Sequence, residues 1–148
     1  YEMDFLLENN SDYRIKGYVD RLDVDINGNW IIHDYKTGKK FYNQKEAKQD
    51  IQLALYQIGL EKTKKNINNV TLVWHFLQQS KDNIMVYSKR TRSDLEDLTK
   101  KIINLIDEIR FKLLKKEKFL AKKSKLCNWC YYWEECPLQE GSNPFMVN

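Results

Sequence analysis

Two strand-like segments joined by a short polar turn constrain the fold of this chain more than any other feature. Residues 17–23 read GYVDRLD, residues 34–38 read DYKTG, and residues 25–29, DINGN, lie between them. An Asn-Gly pair between two such segments is typical of a tight turn, so the pattern predicts an antiparallel hairpin. Asp34 and Lys36 are two residues apart, and in an extended strand their side chains leave the same face of the sheet.

The pairing of Asp34 with Lys36 indicates a particular chemistry. A carboxylate holds a cation that binds phosphate and activates water, while a lysine steadies that water or the developing charge. Phosphodiester hydrolysis needs this combination. Each residue taken alone also fits an ordinary exposed strand position, because charged side chains are seldom buried. The combination favours the catalytic interpretation.

Alternating strands and helices are predicted for the rest of the chain. Strands are expected at residues 2–7, 13–24, 30–36, 70–78 and 84–88, with turns at residues 8–12 and 80–83. A helix is expected over residues 43–60, in which Gln52 and Tyr56 share a face. Its apolar side is formed by Ala47, Ile51, Ala54 or Leu55, and Ile58.

A second, longer amphipathic helix is predicted to begin at a capping box formed by Ser93-Asp94-Leu95-Glu96. We expect it to pack on the sheet through apolar positions at helical spacing, which are Leu95, Leu98, Ile102, Leu105, Ile106, Ile109 and Leu113.

Length and charge give broader limits. The 148 residues suit one domain, and the absence of an initiator Met, a signal peptide and a long apolar run leads us to expect part of a longer soluble polypeptide. The net charge is +4, and residues 110–125 hold eight basic residues and one acid. Such a block is either a solvated helix face or a track for nucleic-acid phosphates. We assign Lys115, Lys116 and Lys118 to the second possibility.

The three cysteines lie close together at the carboxyl end, as Cys127, Cys130 and Cys136. An odd number in ten residues does not suit a secreted disulfide framework, so we expect an intracellular, cytoplasmic protein. Close C-x2-C spacing suits an iron-sulfur cluster or a structural zinc, each of which needs four ligands.

Five motifs follow one another along the chain: Glu2 with Phe5, Gly17-x-x-Asp20-Arg21-x-Asp23, Asp34-Tyr35-Lys36-Thr37-Gly38, Gln52-x-x-x-Tyr56, and Cys127-x2-Cys130-x5-Cys136-Pro137. In order and spacing they resemble the RecB-like branch of the PD-(D/E)XK nucleases, and the resemblance spans nearly the whole chain. The cysteine spacing is similar to that of the iron-sulfur members, which include the AddB nuclease domain, CRISPR-associated adaptation nucleases and exonuclease V.

The resemblance implies a role for each matching residue. Asp20, Asp34 and the backbone carbonyl of Tyr35 would ligate Mg²⁺ or Mn²⁺, and Lys36 would be the catalytic lysine. Gln52 and Tyr56 would help to place DNA, although helix packing alone also explains them. The three cysteines would hold a 4Fe-4S cluster with a fourth cysteine that the family carries upstream, where it also carries a histidine of the metal site. His33 and His75 do not match that histidine, and we interpret both as structural.

The resemblance also implies a restriction-endonuclease-like α/β fold, with a mixed central sheet and flanking helices. We expect a nuclease core at residues 1–126 without its N-terminal helix, and a cysteine-rich cap at residues 127–148. The expected function is metal-dependent cleavage of DNA, exonucleolytic at single-stranded ends, in repair, recombination or CRISPR adaptation. A helicase or other domains of a larger parent protein would be partners.

Two alternatives belong to other functional classes. One is a non-catalytic DNA-binding or scaffolding domain of a helicase-nuclease complex, which would be free to lose Asp20, Asp34 and Lys36. The other is a zinc-ribbon binding domain attached to an unrelated sheet, which explains the cysteines but not the acids.

The register of the hairpin decides whether Asp20 and Asp34 can share a metal. A two-residue turn at Asn27-Gly28 would place their side chains on opposite faces of the sheet. A three-residue loop, with Asp25 at the first position of a type I turn and Gly28 at positive φ in a G1 bulge, would pair Asp25 with Asn29 and bring Asp20 opposite Asp34. We predict the three-residue loop.

Overall fold

The computed structural model describes residues 1–9, 11–79 and 84–146. The chain divides into two compact units, Tyr1–Ile106 and Asp107–Asn148. The predicted turn at residues 80–83 and Asn10 in the turn at residues 8–12 lie outside the described residues. The predicted boundary after residue 126 stays a prediction. Within the described ranges, no helix is both long enough and apolar enough to cross a bilayer.

Strands and helices alternate along the chain, as the sequence pattern predicts. They are β1 (Glu2–Leu6), β2 (Arg14–Tyr18), β3 (Arg21–Val24), β4 (Asn29–Lys36), α1 (Gln44–Gln49), α2 (Gln52–Thr63), β5 (Asn69–Phe76), β6 (Ile84–Ser88), α3 (Arg92–Leu114) and a 3₁₀ helix (Lys125–Trp129).

The strands form a mixed arrangement. β1 and β2 make an antiparallel pair, and a second sheet has the order β3-β4-β5-β6. In that sheet β4 and β5 are parallel while the other neighbours are antiparallel. A parallel pair needs a crossover connection, and α1 with α2 supplies it. The predicted α/β class, with a mixed sheet and flanking helices, is confirmed.

The β3–β4 hairpin has the predicted register. β3 pairs with β4 from Arg21 opposite His33 to Val24 opposite Trp30. In the loop the Gly28 N–H donates to the Asp25 carbonyl at 3.1 Å, and Gly28 has φ +75°. The Asp25 carboxylate also accepts the N–H groups of Asn27 and Asn29. These bonds explain why the three-residue loop forms instead of the two-residue turn that Asn-Gly usually favours.

Two predicted elements are each interrupted in the structure. The strand expected over residues 13–24 is broken at residues 19–20, and the helix expected over residues 43–60 is broken at Asp50. Asp50 is extended, and its Oδ1 accepts the Leu53 N–H at 2.9 Å. An aspartate that bonds a free N–H of the next turn starts a new helix instead of continuing the old one. As a result Ile51, predicted to face the core, is 43 % exposed.

The beginning of α3 also differs from the prediction. Thr91 and Asp94 exchange bonds, from the Thr91 N–H to Asp94 Oδ2 at 2.8 Å and from the Asp94 N–H to Thr91 Oγ1 at 3.2 Å. The capping box therefore starts two residues before the predicted Ser93, because Thr91 supplies the hydroxyl that caps the helix.

The apolar side of α3 is only partly buried. Leu95, Leu98, Ile102 and Ile106 belong to the cluster that contains Phe5, Leu7, Ala54 and Ile58. Three positions predicted to be apolar contacts, Leu105, Ile109 and Leu113, are instead exposed. The first turns of α3 thus pack on the β1 region and α2. A separate core, which includes Ile32, Leu72, Trp74, Leu53 and Leu60, joins the second sheet to α2.

In the unit Asp107–Asn148, a Schellman motif ends α3. The Glu117 N–H donates to the Lys112 carbonyl at 2.9 Å, and the Lys116 N–H donates to the Leu113 carbonyl at 3.1 Å. Lys116 has φ +54°, the left-handed conformation that the motif requires. Lys115, Lys116 and Lys118 are all exposed.

Candidate active site

The centre of the site is an ion pair on β4. Asp34 is buried, with 5 % of its surface exposed, and Lys36 is partly buried. Lys36 Nζ lies 2.8 Å from Asp34 Oδ2. The two side chains share one face because they are two residues apart in a regular strand.

The surroundings of Asp34 disfavour its negative charge. Burial raises the pKa of the Asp34 carboxyl, the neighbouring charges of Asp20 and Asp50 raise it further, and Lys36 opposes them. Burial also acts to lower the pKa of Lys36, but the Asp34 carboxylate, with Tyr42 and Asp50, raises that pKa overall. Lys36 therefore stays charged at neutral pH. The negative charges of Asp34, Asp20 and Asp50 outnumber the single positive charge of Lys36, so a further cation would be attracted to this site.

Asp20 is held by the backbone of β4. The break between β2 and β3 leaves its carboxylate free to turn toward that strand, where Oδ2 accepts the Tyr35 N–H at 2.8 Å. The strand ladder ends at the pair of Arg21 with His33, so Asp20 does not form a ladder pair with Asp34 as the predicted register would allow. Its charge nevertheless acts on Asp34.

A hydrogen-bond chain extends from this pair onto α2. Lys36 Nζ donates to Gln52 Oε1 at 2.8 Å, and Gln52 Nε2 donates to Tyr56 Oη at 3.2 Å. An ammonium can only donate, so it fixes which way the Gln52 amide points. The Tyr56 ring lies so close to Gly17 that a Cβ added there would be 2.7 Å from Tyr56 Cε1.

Asp50 and Arg90 join the site although the motif analysis did not find them. Arg90 Nη2 donates to the carbonyls of Ala47 at 2.6 Å and Asp50 at 3.1 Å, and Nη1 donates to Ser88 Oγ at 2.5 Å. The guanidinium thus fixes the corner between α1 and α2, from which Gln52 starts. An aspartate inside a predicted helix was the available signal for Asp50, because aspartate favours caps over helix interiors.

Oxygen donors near Asp34 suit a hard divalent cation. These are the carboxylates of Asp34 and Asp20, whose charges act on each other. The role of the Tyr35 carbonyl as a further ligand stays a prediction. The charge of the buried Asp34 carboxylate would be compensated by such an ion. Among residues 1–9, 11–79 and 84–146, no three His, Cys, Asp or Glu side chains are arranged to hold a metal.

The two histidines lie on the other face of β4 and β5. His33 Nδ1 is 2.8 Å from His75 Nε2, and His33 Nε2 is 3.2 Å from Asp23 Oδ2. The Tyr35 ring stacks on His75 with centroids 4.6 Å apart. Burial lowers the pKa of His75, and the charges of His33 and Arg21 lower it further. The structural role expected of both histidines stays a prediction.

The cysteine segment belongs to the unit Asp107–Asn148. Cys127, Cys130 and Cys136 are free thiols, each partly buried, and they do not form a metal-holding group of three. The Ser124 N–H points to Cys127 Sγ at 3.4 Å, and Asn143 Nδ2 donates to the Asn128 carbonyl at 3.2 Å. The turn that carries the first two cysteines is thus held by local bonds.

Comparisons with known proteins agree with the geometry. A sequence model of the PD-(D/E)XK nuclease superfamily matches residues 1–137, a range that contains both sheets and every residue of the hydrogen-bond chain. A search among curated proteins finds none that matches this chain. Nucleases of this superfamily typically use divalent metal ions. The match covers most of the sequence, and the chain belongs to the PD-(D/E)XK nuclease superfamily.

Proposed function

We propose that this protein is a Mg²⁺- or Mn²⁺-dependent deoxyribonuclease that hydrolyses DNA phosphodiesters at Asp34 and Lys36. The observation that carries the proposal is the 2.8 Å contact between Lys36 Nζ and Asp34 Oδ2, at a strand position where Asp34 is buried. Asp20, Asp34 and the Tyr35 carbonyl would hold the metal. A bound divalent ion neutralises phosphate charge and makes water more acidic.

The side chains of the site have separate tasks in this proposal. Lys36 keeps its proton because its pKa is raised, so it acts as a fixed donor to the attacking water or to a phosphate oxygen and not as a general base. The Gln52 amide oxygen accepts a hydrogen bond from the Lys36 ammonium, while the Gln52 amide nitrogen donates to the Tyr56 hydroxyl. Asp20 is kept in place by the Tyr35 N–H, so it needs little rearrangement to take part.

The finer assignment rests on the order of the motifs and on the cysteine spacing. We assign the protein to the RecB-like iron-sulfur branch. In this assignment it acts as an exonuclease on single-stranded ends in an intracellular repair, recombination or CRISPR adaptation system, with a helicase or other domains of a larger parent protein as partners. Cys127, Cys130 and Cys136 would join a fourth cysteine outside this chain in a 4Fe-4S cluster. The exposed Lys115, Lys116 and Lys118 support contact with DNA phosphates.

A non-catalytic DNA-binding domain is the second candidate. It is favoured by one observation, that Lys115, Lys116 and Lys118 are exposed, because lysines bind DNA phosphates without any catalytic metal. The nuclease is preferred because a binding domain has no need to bury Asp34 beside Lys36, which costs desolvation free energy.

The test compares Asp34→Ala with Asp97→Ala in the full-length protein. Asp97 is an exposed aspartate on α3 and serves as the control. With an end-labelled single-stranded oligonucleotide and Mg²⁺, we expect Asp34→Ala to lose about a hundredfold or more of kcat/KM, as expected for removal of a group that supports the transition state. Asp97→Ala should keep wild-type activity. Full activity in Asp34→Ala would refute the nuclease assignment to this site.

A further inference from the structure

Arg90 lies in the connection between β6 and α3 and is partly buried. Its Nη2 donates to two backbone carbonyls at the break between α1 and α2, that of Ala47 at 2.6 Å and that of Asp50 at 3.1 Å. Its Nη1 donates to the hydroxyl of the buried Ser88 at 2.5 Å. One guanidinium therefore joins the corner between α1 and α2 to the end of β6.

The carbonyls at this corner need a donor from outside the two helices. α1 ends at Gln49, Asp50 is extended, and α2 begins at Gln52. A carbonyl at a helix end has no partner within that helix, and leaving it buried and unpaired costs free energy. The backbone bond across the corner, from the Asp50 N–H to the Ala47 carbonyl, is long at 3.4 Å. Arg90 supplies the missing donor, and its planar fork suits several acceptors at once.

The corner carries the residue that holds the catalytic lysine. Gln52 follows Asp50 by two residues, and its Oε1 accepts a hydrogen bond from Lys36 Nζ at 2.8 Å. Lys36 Nζ also lies 2.8 Å from Asp34 Oδ2. An ammonium has three donors, so contacts on these two sides set the direction of the third. In the proposed function that third donor faces the attacking water or a phosphate oxygen.

We propose that Arg90 is a positioning residue for DNA cleavage, which acts through the corner between α1 and α2 to keep Gln52 against Lys36. The inference rests on the proposed nuclease function and deepens it by adding a residue to the machinery.

The size of the effect follows from the Lys36–Gln52 distance. A shift of about 1 Å at the start of α2 would lengthen this contact from 2.8 Å to about 3.8 Å, which is too long for a hydrogen bond. Lys36 would then be held on the Asp34 side alone, and its ammonium would rotate. A misplacement of about 1 Å at a reacting group can cost about a hundredfold in rate.

The test compares variants of the full-length protein on a single-stranded oligonucleotide with Mg²⁺. Arg90→Met removes the donors and keeps an apolar side chain, and we expect kcat to fall about ten- to hundredfold while KM stays within about threefold of wild type. Arg90→Lys keeps the charge and one donor nitrogen, so its kcat should lie between those of wild type and Arg90→Met. Arg92→Met is the control, because Arg92 is exposed and pairs with Glu96 within α3, and it should keep wild-type kcat.

A double-mutant cycle with Gln52→Ala separates positioning from a general structural role. If Arg90 acts through Gln52, the protein with both Gln52→Ala and Arg90→Met should have a kcat within about twofold of Gln52→Ala alone. A role in stability alone would instead make the two losses multiply. Near-ultraviolet circular dichroism checks that each variant is folded, and Arg90→Lys takes the place of Arg90→Met in the cycle if Arg90→Met does not fold.

Four results would overturn the inference. If the wild-type protein cleaves DNA and the folded Arg90 variants keep its kcat, Arg90 does not position the site and the nuclease assignment stands. A tenfold rise in KM with unchanged kcat would make Arg90 a substrate contact. Losses that multiply in the cycle would show that Arg90 does not act through Gln52. If the wild-type protein cleaves no DNA with Mg²⁺ or Mn²⁺, the proposed function fails and the inference fails with it.

Discussion

Replacing Gly28 with alanine is expected to destabilise the unit Tyr1–Ile106 through the β3–β4 loop. Gly28 has φ +75°, a conformation that costs an L-residue about 1–2 kcal/mol. The new Cβ would also lie 2.4 Å from the carbonyl oxygen of Asn66, which is a backbone atom. Because the Gly28 carbonyl accepts the Asn68 N–H at 2.9 Å, neither loop can move without straining the other.

The expected loss follows from these two terms. Relief of the overlap adds about 1–3 kcal/mol, as for other overpacked positions, so the free energy of unfolding should fall by about 2–5 kcal/mol in total. Urea unfolding followed by tryptophan fluorescence measures it, since Trp74 is fully buried in the neighbouring core.

Gly38→Ala is the matched control. A Cβ at Gly38 meets no atom within 4 Å, and Gly38 does not have positive φ. We expect its free energy of unfolding to stay within about 0.5 kcal/mol of wild type. If Gly28→Ala cost less than about 1 kcal/mol, the account of the loop by backbone conformation and steric overlap would be refuted.

Three further predictions concern charge and the cysteines. Burial raises the pKa of Asp34 above its usual value of 3.8, so its ionisation lowers stability as the pH rises through the folded-state pKa. Metal-free Asp34→Asn should therefore be at least as stable as wild type at pH 7. Any gain in stability over wild type should disappear at pH values below 3.8, where Asp34 is protonated in both the folded and the unfolded state. Thermal melts across pH would contradict this if the variant had a lower Tm than wild type at pH 7. Changing Lys115, Lys116 and Lys118 to Gln should reduce the slope of log K against log salt for single-stranded DNA by about 2, and an unchanged slope would leave these lysines as a solvated surface. The full-length protein purified without oxygen should contain iron and absorb visible light, whereas the chain of residues 1–148 should be colourless; zinc without iron in the full-length protein would contradict the cluster.

Features set by neighbouring residues were predictable from the sequence. The strand pattern placed Asp34 and Lys36 on one face, and the capacity of Asp25 and Gly28 for a type I turn with a bulge gave the correct register. The Gln52 and Tyr56 spacing likewise gave a real contact. In each case the physical cause lies within a few residues, so the chain need not be folded for the cause to be recognised.

Features set by competition or by tertiary contacts were not predictable. A continuous helical pattern runs through Asp50, and the bond from its carboxylate to the Leu53 N–H won over helix continuation. At α3, Thr91 competed with Ser93 for the capping position and prevailed. The link from Arg90 to Ala47 and Asp50 joins residues about forty positions apart, which no local pattern encodes.

The most direct test of the central claim measures Mn²⁺ binding and DNA cleavage in the same Lys36→Ala protein, with Lys39→Ala as the control. Lys39 is an exposed lysine in the loop after β4. Because Lys36 is assigned as a catalytic donor and not a ligand, isothermal titration should give an Mn²⁺ affinity within about threefold of wild type, while kcat/KM falls about a hundredfold or more. Lys36→Ala protein that cleaves DNA at the wild-type rate, or that has lost Mn²⁺ binding, would contradict the role given to this site.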